Sequence, residues 1–156
     1  MEKIKLENME LITFNRENKA HLEYLKKLLN DETIKSKFQG ILPALLSKEN
    51  FFGKGFFVGY EDEMIGYAQI GKYNKTEKSV YLLGGAIDKE HRGKRIKDNK
   101  TLGEIMLDDI TNYILYNFKE VNQIKLTISD NNIPAIKQAT RCGYEHLTST
   151  HYGKSK

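Results

Sequence analysis

Ser79-Val80-Tyr81-Leu82-Leu83-Gly84-Gly85-Ala86-Ile87 runs directly into Asp88-Lys89-Glu90-His91-Arg92-Gly93-Lys94-Arg95-Ile96-Lys97-Asp98-Asn99-Lys100, and then into Thr101-Leu102-Gly103-Glu104-Ile105-Met106. The first run is branched and aromatic and predicts a strand. After the basic stretch, Leu102, Ile105, Met106, Ile110, Tyr113 and Ile114 recur at helical spacing, with Asp109 the exception on that face, which predicts a helix to about Tyr116. Residues 123–129 then alternate Ile124, Leu126 and Ile128 with polar partners, a second strand. A strand–loop–helix–strand crossover of this length lays its two strands parallel, with a right-handed connection. In such sheets ligands bind beyond the carboxyl ends of the strands, where the next helix presents unpaired N–H groups and the positive end of its dipole. The basic loop falls at that point.

Upstream, residues 55–60, 64–72 and 79–87 read as three strands joined by short turns, hence as consecutive antiparallel hairpins. Residues 9–14 suit a short strand, and the segment after Asn18 places Leu22, Leu25, Leu28 and Leu29 on one helical face before Asn30-Asp31 breaks it. A further helical stretch falls on residues 34–38 or 44–48, made irregular by Gly40 and Pro43. Downstream, residues 133–142 form a helix opened by Asn132 and Pro134 and closed by Gly143, and a last strand starts at Tyr144. The expected fold class is α/β (α+β): a mixed, mostly antiparallel central sheet flanked by helices.

The chain has 156 residues, 39% of them hydrophobic, with seven Phe and nine Tyr, which suits one folded domain over residues 1–156. No apolar run approaches the ~20 residues of a spanning helix, and Met1-Glu2-Lys3 opens no signal peptide, so a cytoplasmic protein with no membrane partner is expected. One cysteine, Cys142, excludes an internal disulfide, and four scattered histidines make no local metal motif, so no metal is expected. The net charge of +4 is modest for a nucleic-acid binder, but six Lys or Arg and His91 fall between Lys89 and Lys100 against two acids. Arg92-Gly93-Lys94-Arg95 has the chemistry of a phosphate site, while nucleotide-binding glycine motifs are absent. The competing reading is a solvated loop ahead of a helix that caps itself, since Thr101-x-x-Glu104 is a capping-box pattern. Nucleic-acid binding ranks last, because the stretch lacks interleaved aromatics.

Two spaced motifs carry a resemblance. Residues 87–94 resemble the V-x-P-x-x-R-G-x-G-x-G stretch that joins the fourth strand to the pyrophosphate-binding helix of GNAT-superfamily N-acetyltransferases, and Asn132-x-x-Ala135 followed by Gly143-Tyr144 is similar to the family's N-x-x-[AS]-x(7)-G-[FY] signature. Leu28-Leu29-Asn30-Asp31-Glu32 is reminiscent of the ribosomal-protein acetyltransferase branch. The resemblance implies a GNAT-like fold with splayed fourth and fifth strands, and transfer of an acetyl group from acetyl-CoA to the primary amine of a small-molecule or protein acceptor. It is compatible with a homodimer. It also implies an oxyanion donor at the N–H near Gly85, CoA contacts along Ala86 and Ile87, a diphosphate cradle at Arg92, Gly93, Lys94, Arg95 and Gly103, and an approach to the pantetheine arm from Asn132. Glycine positions of the family's loop fall on Arg95 and Lys97, unless residues 96–100 are an insertion and Gly103 supplies the final glycine. Tyr81 stands where many members carry a Glu base and Ala139 where many carry a Tyr acid, leaving Tyr81 as a candidate proton relay. A non-catalytic domain that keeps the fold and binds CoA or another anion, as adaptor or sensor, is the alternative.

Overall fold

A computed structural model describes residues 3–38 and 40–156. Eight strands form one sheet in the order β1 (Lys3–Lys5), β2 (Glu10–Ile12), β3 (Gly55–Tyr60), β4 (Glu63–Asn74), β5 (Ser79–Ile87), β8 (Gln123–Thr127), β10 (His151–Ser155), β9 (Glu145–Thr148). Every neighbouring pair is antiparallel except β5 and β8. A small hairpin, β6 (Arg95–Lys97) and β7 (Lys100–Thr101), stands apart and turns at Asp98 and Asn99, both at positive φ. It holds residues 96–100, and helix α4 (Leu102–Asn117) follows it directly.

Alternation along the strands splits the core in two. Phe56, Val58, Ile65, Ala68, Ile70, Val80 and Leu82 pack on one face against Leu102, Ile105, Met106, Ile110 and Ile114 of α4 and Ala139 of α5 (Ile133–Arg141). Phe57, Tyr67 and Ala86 face the other way, onto α1 (Lys19–Leu29), α2 (Glu32–Lys37) and α3 (Ile41–Leu45). Period-2 strands with both faces covered require this arrangement.

Two expectations need correction. The buried face of α1 carries His21, Tyr24, Leu25 and Leu28, whereas Leu22 and Leu29 are each 40% exposed. Polar side chains go inside because each finds a partner: the Tyr24 hydroxyl donates to Asp88 at 2.7 Å, and His21 Nδ1 accepts from the Asn15 N–H at 2.9 Å. The C-terminal segment forms two strands rather than one, folded back so that β10 lies beside β8. The irregular region, read as one helical stretch at 34–38 or 44–48, holds two short helices: α2 overlaps the first, while α3 lies mostly before the second and contains Pro43. Among the described residues no helix is long and apolar enough to cross a membrane.

Candidate active site

β5 and β8 pair only over Ser79↔Gln123, Val80↔Ile124 and Tyr81↔Lys125. Beyond that point the strands part, and a cleft of about 900 Å³ opens between them. Gly84 to Ile87 form one wall and Leu126 to Ser129 the other; Met106 and Ile110 of α4 line its base, Asn132 to Ala135 its far rim, and Thr33 and Lys37 of α2 its mouth. The β5 wall is not regular. Ile70 pairs with Leu82 and Gln69 with Gly84, so Leu83 is an extra residue bulged out of the ladder and 55% exposed, and Gly84 takes φ +142. Glycine within a strand marks such bulges and sites of close ligand approach.

The bulge sets the phase of the backbone. Asp88 N–H donates to the Ile65 carbonyl at 2.8 Å, and because backbone groups alternate sides along a strand, residues 84, 86 and 88 address β4 while Gly85 and Ile87 address the cleft. The two cleft-facing carbonyls are taken by cations of this chain. Lys37 Nζ donates to Gly85 O at 2.8 Å, and Arg92 Nε donates to Ile87 O at 2.9 Å. The N–H groups of Gly85 and Ile87 point to the same side as their carbonyls and are aimed into the cleft.

Three of the six cations of the basic stretch, Arg92, Arg95 and Lys100, pair with carboxylates of this chain. Arg92 Nη2 lies 2.6 Å from Asp31 Oδ2, tying the N-cap of α2 to the end of β5. Burial alone would raise the Asp31 carboxyl, but the Arg92 guanidinium and backbone donors outweigh it and hold it below its ordinary value. Lys97 Nζ reaches Asn8 Oδ1 at 2.8 Å, and Lys100 Nζ reaches Asp108 at 2.9 Å. The Thr101 side chain accepts from the Glu104 N–H while the Glu104 carboxylate accepts from the Thr101 N–H, completing the capping box. The same carboxylate, only 3% exposed as a residue, draws Arg141 Nη1 to 3.2 Å and Arg95 Nη1 to 3.5 Å. Thus the helix start where a diphosphate was expected already holds an anion, Glu104, and two arginines.

Of the residues singled out from sequence, Gly85, Ala86, Ile87, Arg92, Gly93, Gly103 and Asn132 lie on the cleft. Asn132 is also the N-cap of α5, its side chain accepting from the Ala135 N–H at 3.4 Å. Lys94 and Arg95 do not line it: Lys94 is exposed, and Arg95 is turned onto Asn99 O and Glu104. Tyr81 also lies off the cleft, on the stretch where β5 and β8 are still paired. Its hydroxyl is 3.3 Å from His151 Nδ1, and Lys125 Nζ sits over its ring. Lys37, Gln138 and Arg141 on the cleft had no sequence signal, being polar residues on helices of ordinary pattern.

Beside the cleft loop stands a buried carboxylate, Asp88, 1% exposed. It accepts from the Tyr24 hydroxyl and lies 2.6 Å from His91 Nδ1, while His91 Nε2 meets Glu63; Lys27 stands 3.9 Å from Asp88 and pairs with Glu90. A carboxylate beside each ring nitrogen favours the imidazolium, in which both nitrogens donate. Burial opposes this charge, but the bonds to Asp88 and Glu63 outweigh it and raise the His91 pKa. A raised folded value means that its stabilising contribution is complete below the ordinary imidazole value near 6.5 and fades as pH rises through the folded value. Urea midpoints should therefore fall as pH is raised above about 6.5, and His91→Gln should flatten that slope; equal slopes for the two proteins would remove His91 from the account.

A mostly antiparallel sheet whose one parallel pair parts around a glycine-rich cleft defines the acyl-CoA N-acyltransferase fold. The acetyltransferase (GNAT) family model matches residues 22–144, and the chain belongs to that family. No curated protein matches the chain by sequence. Among solved structures, the chain is similar to the ribosomal L7/L12 alpha-N-protein acetyltransferase RimL in its apo form (TM-score 0.68, 14% identity, 99% of this chain and 94% of that one). It is also similar to RimL in complex with coenzyme A (0.64, 16%, 99% and 98%). The aminoglycoside acetyltransferase AAC(6')-Ib, in complex with coenzyme A and kanamycin, gives a TM-score of 0.71 at 18% identity over 96% of this chain and 94% of that one.

Proposed function

We propose that residues 1–156 act as one N-acetyltransferase domain that binds acetyl-CoA between β5 and β8 and transfers its acetyl group directly to a primary amine. The observation that carries this reading is the bulge at Leu83, which aims the Gly85 and Ile87 N–H groups into an apolar-floored cleft. The Gly85 N–H is placed to polarise a thioester carbonyl and hold the charge that develops on its oxygen. Ile87 offers a strand edge to an extended ligand arm, and Asn132 faces it across the gap. Holding thioester and amine together in attack geometry can remove roughly 7–11 kcal/mol of barrier. The known neighbours act on a protein N-terminus or an aminoglycoside, and an amine-bearing small molecule or protein is the acceptor class proposed here.

One observation favours the second reading, a domain that keeps the fold without turnover: Glu104 and its two arginines fill the start of α4. Calorimetric titration with acetyl-CoA of the wild type and Glu104→Gln, followed by thiol release on a panel of amines, separates the two. Gln preserves the capping box. Removing the carboxylate should tighten binding about tenfold at low salt, or about 1.4 kcal/mol, between the ~1 and ~4 kcal/mol of a charge pair at 4 Å in water and near a protein surface. The gain should shrink as salt rises. Binding with turnover on any amine supports transfer. Binding without turnover on all of them supports the second reading, and no binding by either protein at millimolar acetyl-CoA overturns transfer and leaves the second reading only with another anion.

A further inference from the structure

Lys37 ends α2, and its side chain leaves the helix to enter the mouth of the cleft, where Nζ donates to Gly85 O at 2.8 Å. Lys37 Cε lies 3.8 Å from where a Cβ on Gly84 would stand, so the chain lies against the bulge itself. Among the described residues no carboxylate is within ion-pair distance of its ammonium. The Arg92 guanidinium, also on the cleft wall, acts on it electrostatically. An amine is therefore already resident beside the backbone that is aimed at a thioester. We propose that Lys37 is an internal acceptor: the protein acetylates its own Lys37 from acetyl-CoA bound between β5 and β8.

The inference rests on the reading of the cleft as an acetyl-CoA site. The Nζ is held by a neutral carbonyl, a partner that does not demand the charged form as a carboxylate would. Lys37 is exposed overall, but desolvation of its ammonium at the cleft mouth, and after it Arg92, lower its pKa from the ordinary value and raise the share of neutral amine. The ammonium first loses one proton to water. The Nζ lone pair then forms a bond to the thioester carbonyl carbon, the C–S bond breaks with its electron pair going to sulfur, and the second amine proton ends on that sulfur. The products are an acetamide on Lys37 and the free thiol of CoA, with no change of oxidation state. Acetylation removes the positive charge next to Arg92 and leaves a larger, neutral group at the mouth, so the modified protein should accept a foreign amine less readily.

The test is incubation of the wild type and Lys37→Arg with acetyl-CoA at neutral pH, read by intact mass and peptide mapping, with calorimetric binding of acetyl-CoA measured on the same preparations. The expected result is one acetyl group on Lys37, added about a hundredfold faster than on Lys26 or Lys119, which lie off the cleft, because the Lys37 amine is held within reach. The rate constant should not change on diluting the protein, and urea-unfolded protein should lose the preference. Lys37→Arg should remain unmodified at this position. If acetyl-CoA binds and Lys37 stays unmodified, or is modified no faster than Lys26, self-acetylation is overturned while the cofactor reading stands. If acetyl-CoA does not bind, both fall together. A rate constant that rises with protein concentration would show transfer between molecules and also overturn the proposal.

Discussion

Under the proposed acetyl transfer, Gly84→Ala is expected to lower turnover about a hundredfold while the protein still folds. Gly84 sits at φ +142, a backbone conformation that L side chains rarely adopt, and an added Cβ would stand 2.9 Å from Cε1 and 3.1 Å from Cζ of Phe38. Phe38 is buried edge-on against Tyr67 and has little room to yield. Backbone strain of this kind costs about 1–3 kcal/mol, and the cheapest relief is to undo the bulge at Leu83. Removing one extra residue from a strand moves everything beyond it by one position and exchanges the groups facing each side. The Gly85 N–H would then turn toward β4 and Ala86 toward the cleft. Loss of one preorganised oxyanion donor costs about 10²–10³ in rate, so the activity effect exceeds the stability effect. Gly40→Ala, off the cleft, is the control: its φ is +70, and a Cβ there meets only Pro43 at 3.8 and 3.9 Å, ordinary contacts, so it carries only the backbone penalty of about 1–2 kcal/mol. Steady-state thiol release and thermal melts on the two variants make the comparison. Wild-type turnover in Gly84→Ala would show that the bulge does not aim the reacting backbone.

The sheet and its crossover were legible because their signals are local. The run of 79–87 is bounded by turn residues on both sides and matches β5 residue for residue, and the α5 boundaries follow from Asn132, Pro134 and Gly143, a cap, a first-turn proline and a left-handed C-terminal glycine. The capping box at Thr101 and Glu104 was also visible, and it fixed the start of α4 despite the preceding hairpin. Other features depend on partners far along the chain. Counting apolar residues put Leu22 and Leu29 of α1 inside, because periodicity cannot show that Tyr24 will find Asp88 64 residues away. The charge of the basic stretch was plain, but not that Arg92 is matched by Asp31 at a separation of 61 or that Lys97 reaches Asn8 at 89. A charge run therefore pointed to the right end of the right strand while overstating how much free positive charge is there. Lys37 illustrates the same gap. On a six-residue helix between a break and an irregular turn it reads as a solvated lysine, and only the fold carries it to Gly85.

Asp109 was the one residue out of place on the apolar face of α4, and its replacement by Ala is expected to cost about 3–5 kcal/mol of stability. The residue is 2% exposed, and its carboxylate accepts from the Met9 N–H at 2.8 Å, the Asn8 N–H at 2.8 Å and the Asn8 side-chain amide at 2.9 Å. Hydrogen bonds to a charged group contribute about 1.5–3 kcal/mol each, and a buried donor left without a partner costs a further 1–3 kcal/mol or so. Met9 is 1% exposed, so water cannot replace the lost acceptor at its N–H without opening the core. The contributions share one carboxylate and do not add fully, which keeps the sum near the lower figures. Even so, the loss is a large part of the roughly 5–15 kcal/mol that holds a domain folded. For a chain of this size the melting temperature should drop by about 10 °C, at 2–4 °C per kcal/mol. Asp109→Asn, which keeps an oxygen for one set of donors but sets an NH₂ against the other, should lose an intermediate amount. The consequence reaches the cleft, because Asn8 also accepts from Lys97 and so holds the β6–β7 hairpin that leads into Thr101. Hydrogen exchange in Asp109→Ala should therefore rise at Met9 and along the hairpin before it rises in β3 and β4. If exchange rises uniformly instead, Asp109 stabilises the whole core without selectively supporting the wall of the site.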